Sequence, residues 1–262
     1  MTFRLAVVGG GNMGAALVGG LLSAGWLPDD LAVVEVLATR ADQLRTMFPG
    51  VTVADVVPAC DAAVIAVKPP DVAAACGVVA AAGATRILSI AAGIPLANLQ
   101  AAAGPNVAVV RAMPNTPALV GEGAAAISAG SAANDTDMAW AEEILGAVGI
   151  VVRVPEAELD AVTGLAGSGP AYLFLVAESL IAAGVAAGLS QGNSEALVTQ
   201  LFVGSAALLK ERGEPAELRK MVTSPGGTTA AGLRVLDERG VREAFLEAVI
   251  AAKARSIELG KS

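Results

Sequence analysis

One glycine-rich turn constrains the fold of this chain more than any other part of the sequence. The buried-strand pattern Phe3–Val8 runs directly into Gly9-Gly10-Gly11-Asn12-Met13-Gly14, and a helical pattern follows from Ala15 to Ala24. This is G-x-G-x-x-G between a strand and a helix, in which the glycines permit a tight turn, a close pyrophosphate and close helix packing. The pattern predicts a dinucleotide-binding α/β domain with Val8–Gly14 at the cofactor. A glycine-rich turn that binds no nucleotide is the alternative.

An acid and a base follow the second predicted strand, Leu31–Val36. Glu35 lies 21 positions after Gly14, about where a ribose-binding acid belongs. An acid at this position favours NAD because it repels a 2′-phosphate, whereas Arg40 close behind it would reverse that preference. A solvated charge at a strand end is the alternative for either residue.

The alternation of strands and loops continues through the first half of the chain. Further strands are predicted at Val51–Val53, Ala62–Val67, Ile87–Ile90, Val107–Val110, Ala124–Ser128 and Ile150–Val154, with a helix at Asp137–Ala147. Ligands of open α/β sheets bind beyond the carboxyl ends of the strands. Ala66-Val67-Lys68-Pro69 and Ala91-Ala92-Gly93 lie at two such ends and become candidate cofactor contacts. A plain surface lysine is the alternative for Lys68.

The second half of the chain has helical periodicity, and we place the domain boundary near Pro155. Residues 1–155 are predicted to form a Rossmann-like domain and residues 156–262 a helical domain. Ala171–Ala187 is apolar nearly all round, with Glu178 as its only charge. A helix without a polar face must be enclosed, which predicts the core of a helical homodimer. Ser194 is predicted to cap the next helix, and a final helix is predicted from Val241 to about Leu259.

A late turn, Ser224-Pro225-Gly226-Gly227-Thr228-Thr229, precedes a predicted helix from Ala230 to Arg239. The free N–H groups that begin a helix, with two hydroxyls beside them, suit an anion such as a substrate carboxylate. The alternative is an ordinary helix-capping turn in which Thr229 serves only as a cap.

Composition excludes several classes of function. The chain has 262 residues, a net charge of −8, two cysteines and no histidine. The charge argues against nucleic acid as a partner, and the cysteines match no metal spacing. Without histidine there is no Ser-His-Asp or Cys-His catalysis, so proton transfer falls to hydroxyls, lysine, carboxylates, water or the substrate. We expect no signal peptide, no membrane span and no metal, and hence a cytoplasmic protein.

Six segments in order along the chain resemble the pyrroline-5-carboxylate reductase family. They are G-G-G-N-M-G (Gly9–Gly14), A-V-K-P (Ala66–Pro69), A-A-G (Ala91–Gly93), R-A-M-P-N-T-P-A (Arg111–Ala118), G-S-G-P-A-Y (Gly167–Tyr172) and V-T-S-P-G-G-T-T (Val222–Thr229). The last two are specific to that family, whereas the first is shared by many dinucleotide enzymes.

The resemblance implies reduction of 1-pyrroline-5-carboxylate to L-proline with NADPH or NADH. It implies a helical domain that dimerises by interlocking, with rings of dimers in some members. It implies that the Gly227-Thr228-Thr229 turn binds the substrate. We hypothesise that the Thr229 hydroxyl hydrogen-bonds the ring nitrogen, and we predict Ser224, Gly226 and Asn115 as further substrate contacts. Val36 departs from the family, whose members often have Ser or Arg there on the 2′-phosphate, which makes NADH plausible.

Two rival functions are considered. A β-hydroxyacid dehydrogenase shares the two-domain plan but needs a lysine on a helix of the second domain, and no lysine occurs between Lys68 and Lys210. A regulatory dimer that binds NAD(P) without turnover is the other rival. The intact Ser224–Thr229 turn disfavours it.

Overall fold

The computed structural model describes Thr2–Gly260 and divides into two compact units. The first unit comprises the residues up to Ser168 together with the segment from Ile250 onward, and the second is Gly169–Val249. The predicted functional boundary between residues 155 and 156 stays a prediction.

An eight-stranded sheet forms the centre of the first unit, in the order β3-β2-β1-β4-β5-β6-β7-β8. The strands are β1 (Leu5–Val8), β2 (Leu31–Val34), β3 (Thr52–Ala54), β4 (Ala62–Ile65), β5 (Arg86–Ser89), β6 (Ala108–Met113), β7 (Gly123–Ala129) and β8 (Gly149–Arg153). The first six are parallel, β7 pairs antiparallel with β6, and β8 pairs parallel with β7. The predicted α/β, Rossmann-like class is confirmed.

The sheet separates two apolar cores, one on each face. Leu5 and Val7 of β1 belong to one core, while Ala6 and Val8 belong to the other. Successive side chains of a strand point to opposite faces, and a parallel sheet is covered on both, so its strands read as unbroken apolar runs. The helices of this unit are α1 (Asn12–Ser23), α2 (Ala38–Met47), α3 (Val72–Ala81), α4 (Leu96–Ala103), α5 (Asp135–Gly146) and α6 (Leu159–Val162).

The second unit is helical. Its helices are α7 (Gly169–Ala186), α8 (Gln191–Arg212), α9 (Pro215–Met221), α10 (Thr228–Glu238) and the first part of α11 (Val241–Leu259). No residue of α7 is buried, although Phe174 and Leu175 are large and apolar. By length and composition, Glu156–Ala186 is apolar enough to cross a membrane, with a mean hydropathy of 1.6. The absence of a membrane span therefore stays a prediction.

Three local predictions in the helical half need adjustment. Ser194 was predicted to cap a helix, but Ser190 is the N-cap of α8 and its side chain accepts from the Asn193 N–H, while Ser194 is buried inside the helix. The helix after the late turn begins at Thr228, two residues earlier than predicted from Ala230. The periodicity of the sequence also predicts the start of a helix at Leu159–Leu165, but α6 covers only Leu159–Val162 and a π-helical turn follows at Thr163–Gly167.

Candidate functional site

The glycine loop folds so that two of its glycines accept no side chain. Gly9 has φ +106°, and a Cβ there would lie 2.6 Å from the Ala66 carbonyl oxygen. A Cβ on Gly14 would collide with the Gly9 carbonyl oxygen. The turn therefore requires glycine both for its backbone angle and for close packing against β4 and α1.

Gly11, unlike Gly9 and Gly14, borders open space that could hold a cofactor. A Cβ at Gly11 would meet nothing within 4 Å, so the loop is open on that side. Gly11 is the N-cap of α1, with no side-chain cap and no acidic residue in the first turn of the helix. The uncapped N–H groups and the positive end of the helix dipole are suited to a pyrophosphate.

The carboxyl ends of four neighbouring strands bring the predicted cofactor residues to one edge of the sheet. The Gly9 N–H donates to the Val34 carbonyl at 2.9 Å, and the Ala66 N–H donates to the Val8 carbonyl at 2.8 Å. The Ile90 N–H donates to the Ile65 carbonyl at 3.1 Å, which places the Ala91–Gly93 loop next in order. Val8, Gly9–Gly14, Glu35, Ala66–Pro69 and Ala91–Gly93 thus follow adjacent strands, as the pattern predicted.

These residues differ in exposure. Asn12, the first residue of α1, and Lys68, three residues beyond the end of β4, are exposed, whereas Met13 packs against the core. Val36 is 77% exposed and has no polar atom in its side chain, so it can only make apolar contacts with a cofactor.

Glu35 and Arg40 both bind the glycine loop. The Gly10 N–H donates to Glu35 Oε2 at 3.2 Å, and Arg40 Nε donates to the Gly10 carbonyl at 2.7 Å. The alternative of two merely solvated charges is therefore wrong in this structure. Both side chains help to fix the peptide groups beside the predicted pyrophosphate position.

Both polar atoms of the Asn115 side-chain amide form hydrogen bonds with the backbone. Its Nδ2 donates to the Ala166 carbonyl at 3.1 Å, and its Oδ1 accepts from the Ala124 N–H at 2.8 Å. Ala166 belongs to the π-helical turn, a feature frequent at functional sites. Asn115 therefore links β7 to the turn that enters the G-S-G-P-A-Y segment.

The sequence analysis did not identify an ion pair between Arg111 and Glu156. Arg111 Nη1 lies 3.0 Å from Glu156 Oε1, and that oxygen also accepts from the Leu96 N–H at 2.7 Å. Arg111 is buried, and a buried charge requires a partner. That rule predicts some partner for Arg111, but nothing local points to a residue 45 positions away.

The late turn leaves the start of α10 without a capping side chain. Gly227 is the N-cap, Gly226 has φ +70°, and the Gly227 N–H donates to the Ser224 carbonyl at 3.1 Å. Thr228 and Thr229 are then the first two helical residues, and both are exposed. Thr229 is thus not the capping residue. It lies in the first turn of α10, whose uncapped N–H groups can donate to an anion.

The two cysteines are buried and do not belong to a group of metal-ligating side chains among the described residues. Burial raises the pKa of Cys60 to about 11, with Asp61 adding to the shift, and burial raises that of Cys76 to about 11. Within residues 2–260 there is no group of three or more His, Cys, Asp or Glu side chains that could hold a metal ion.

Known proteins match the chain along its whole length. The family model for pyrroline-5-carboxylate reductase dimerisation matches residues 156–259, and a model for NADP oxidoreductase, coenzyme F420-dependent, matches residues 4–93. A pyrroline-5-carboxylate reductase of Synechocystis sp. is 42% identical, with 100% of both chains covered. A solved pyrroline-5-carboxylate reductase of Coxiella burnetii has a TM-score of 0.92 at 33% identity, with 100% of both chains covered.

A second solved structure bears on the cofactor. It is the pyrroline carboxylate reductase of Plasmodium falciparum with NADP bound, with a TM-score of 0.84 at 31% identity and 98% of both chains covered. The two solved structures thus share the fold of this chain over all or nearly all of its length. The chain belongs to the pyrroline-5-carboxylate reductase family.

Proposed function

We propose that this chain reduces 1-pyrroline-5-carboxylate to L-proline with NAD(P)H. The observation that carries the proposal is the match, over all or nearly all of the chain, to relatives named for this reaction. Two further observations support the proposal: Gly9 and Gly14 of the glycine loop leave no room for a side chain, as in a dinucleotide-binding turn, and the start of α10 has no capping side chain.

The reaction fits a protein without histidine. NAD(P)H, when bound, supplies a hydride to the imine carbon. The ring nitrogen carries one proton, so that the C=N double bond becomes a secondary amine. A protonated cyclic imine is already a strong hydride acceptor, and the protein contributes orientation more than a powerful general acid.

We assign the substrate to Ser224, Gly226, Gly227, Thr228 and Thr229. The N–H groups that begin α10 would bind the carboxylate, because the helix dipole places positive charge there. The Thr229 hydroxyl would hydrogen-bond the ring nitrogen and orient the imine carbon. The proton reaches the nitrogen from solvent or through Thr229.

Asn115 has a different part in this proposal. The nitrogen and the oxygen of its side-chain amide both already hydrogen-bond to backbone atoms. An amide offers two N–H donors, so one N–H remains for a substrate oxygen. We therefore keep Asn115 among the substrate residues and expect its larger effect to be the positioning of the π-helical turn.

The cofactor contacts are proposed for the residues at the carboxyl edge of the sheet, with Gly11 and Asn12 at the pyrophosphate. The steric evidence supports the assignment: a side chain at Gly9 or Gly14 would meet backbone atoms, whereas the space beside Gly11 is open. No acidic side chain in the first turn of α1 opposes a negatively charged ligand.

The helical segment, residues 156–262, is proposed to form the dimer. The dimerisation family model covers residues 156–259, and α7 leaves Leu173, Phe174 and Leu175 more than half exposed in the single chain. Burying such a surface is the main favourable term in association. Assembly of the dimers into a ring and a cytoplasmic location are further parts of the proposal.

The deciding experiment is the oxidation of NADH and of NADPH, followed by absorbance, with and without 1-pyrroline-5-carboxylate. Oxidation that depends on the imine, with L-proline as the product, is expected. A folded protein that binds a nicotinamide cofactor but oxidises neither would contradict the proposal. That result would favour the regulatory dimer.

A further inference from the structure

Two oppositely charged side chains, Glu35 and Arg40, bind one residue of the glycine loop. Gly10 is held at its N–H by Glu35 Oε2, 3.2 Å away, and at its carbonyl by Arg40 Nε, 2.7 Å away. In strand-turn-helix dinucleotide sites, an acid here meets the ribose 2′-hydroxyl and an arginine accommodates a 2′-phosphate. In this chain both side chains bind the same residue, Gly10, the acid at its N–H and the arginine at its carbonyl.

Glu35 keeps the capacity to accept a hydroxyl. Its two oxygens each accept one backbone N–H, from Gly10 at 3.2 Å and from Leu37 at 2.9 Å. A carboxylate has about four acceptor positions, so roughly two remain. A ribose hydroxyl can donate to them, whereas a 2′-phosphate would be repelled by the same charge.

Arg40 keeps the capacity to bind a phosphate. Its guanidinium donates from Nε to Gly10, from Nη1 to Gln43 Oε1 at 3.0 Å, and weakly from Nη2 to the Gly11 carbonyl at 3.5 Å. A guanidinium has five N–H donors, so about two remain for an anion. These bonds also hold the guanidinium at the loop, which reduces the side-chain entropy lost when an anion binds.

Neither Val36 nor Arg45 is placed like Arg40 to bind the phosphate. Val36 is apolar and exposed. The next arginine on α2, Arg45, binds Asp42 Oδ1 at 2.7 Å and the Val53 carbonyl at 3.2 Å. Arg40 is thus the cation attached to the glycine loop itself.

We infer that Arg40 is the 2′-phosphate ligand of this chain and that Glu35 opposes it, so that the pair admits both NADPH and NADH. The kinetic test of this inference rests on the proposed function. Binding of the adenosine half of the cofactor does not depend on imine reduction. Glu35 and Arg40 carry opposite unit charges. Removal of either charge therefore shifts the preference in a defined direction.

Calorimetric titration with two fragments tests the pair without any turnover. Adenosine 2′,5′-bisphosphate carries the 2′-phosphate, and AMP carries a 2′-hydroxyl. Arg40→Ala is expected to weaken binding of the bisphosphate roughly 10- to 100-fold, as for loss of hydrogen bonds to a charged group. Its effect on AMP is expected to be less than about threefold. Glu35→Gln is expected to strengthen bisphosphate binding.

Steady-state kinetics give the second readout. In the wild type, kcat/KM for NADPH and NADH is expected to agree within about tenfold. Arg40→Ala should lower the NADPH value alone, and Glu35→Gln should raise the NADPH to NADH ratio. Arg45→Ala, on the same helix, is the matched control and should leave the ratio unchanged.

Several results would overturn the inference. If Arg40→Ala weakens both fragments equally, Arg40 only holds the glycine carbonyls. If it changes neither fragment, the 2′-phosphate is bound elsewhere. These outcomes remain readable even if the protein reduces no imine, because the fragments lack the nicotinamide.

Discussion

The guanidinium of Arg111 and the carboxylate of Glu156 form an ion pair at 3.0 Å, 45 residues apart in the chain. The arginine side chain is 10% exposed and the glutamate 37%. The same carboxylate oxygen accepts the Leu96 N–H at the start of α4. One glutamate thus connects β6, α4 and the beginning of the helical segment.

Arg111→Ala should lower the free energy of unfolding by about 1–3 kcal/mol, because Glu156 would lose its charged partner in a partly buried place. The thermal midpoint should fall by roughly 2–4 °C per kcal/mol in a protein of this size. The measurement is thermal unfolding at one fixed protein concentration. Arg255→Ala is the control, since its pair with Glu258 is 66% and 64% exposed and should contribute about 0–1 kcal/mol. Equal shifts in the two variants would contradict the buried-pair account.

Asn115→Ala should lower the thermal midpoint by several degrees, because it leaves the Ala124 N–H and the Ala166 carbonyl without their partner. The expected cost is about 1–3 kcal/mol. Asn115→Asp keeps the acceptor for the Ala124 N–H but places a carboxylate oxygen against the Ala166 carbonyl oxygen, so its loss should be at least as large. A raised KM for the imine at unchanged thermal midpoint would mean that Asn115 acts on the substrate alone.

Thr229→Ala should lose most of kcat/KM for the imine, roughly 100-fold, because the ring nitrogen loses its proposed hydrogen-bond partner. The dissociation constants of NADH and NADPH should stay unchanged. The thermal midpoint should hardly move, since Thr229 is exposed and is not the cap of α10. Thr229→Ser should recover much of the activity. Near-wild-type turnover by the alanine variant would remove Thr229 from the mechanism.

Phe174→Glu should weaken the dimer, because Phe174 on α7 is 64% exposed in the single chain and is proposed to be buried by the partner. Light scattering after size-exclusion chromatography should give a lower mass at micromolar concentration. Val78→Glu, at a 51% exposed position on α3 in the first unit, should keep the wild-type mass. The same mass for both variants would place the interface elsewhere.

The two cysteines should resist alkylation in the folded protein. Burial raises their thiol pKa from 9.0 to about 11, so the reactive thiolate is scarce at pH 8. Iodoacetamide should react roughly tenfold or more slowly than in urea, as read by mass spectrometry, and activity should persist. The folded state binds the thiol protons more tightly, so these groups contribute stability below pH 9 that is lost as the pH rises toward about 11. Rapid labelling of both thiols at pH 8 without denaturant would contradict this account.

Local pattern was sufficient for much of the fold. The apolar runs of β1, β2 and β4 and the bounds of α11 follow from periodicity, since burial on both faces or along one stripe shows directly in the sequence. The glycine loop was also predictable, because Gly9 and Gly14 occupy places where a side chain would meet backbone. The cap of α8 was predicted wrongly because Ser190 and Ser194 are both good caps by composition, and only the helix start distinguishes them.

The sequence by itself determined the class of the fold, the position of the glycine loop and the late S-P-G-G-T-T turn, because these depend on neighbouring residues and on backbone angles. Only the tertiary structure decided which distant groups meet. Glu156 joins Arg111, Asn115 joins the π-helical turn, and Glu35 and Arg40 hold the same Gly10. Such partners are chosen by how strands and helices pack in space, and no local spacing in the chain encodes that choice.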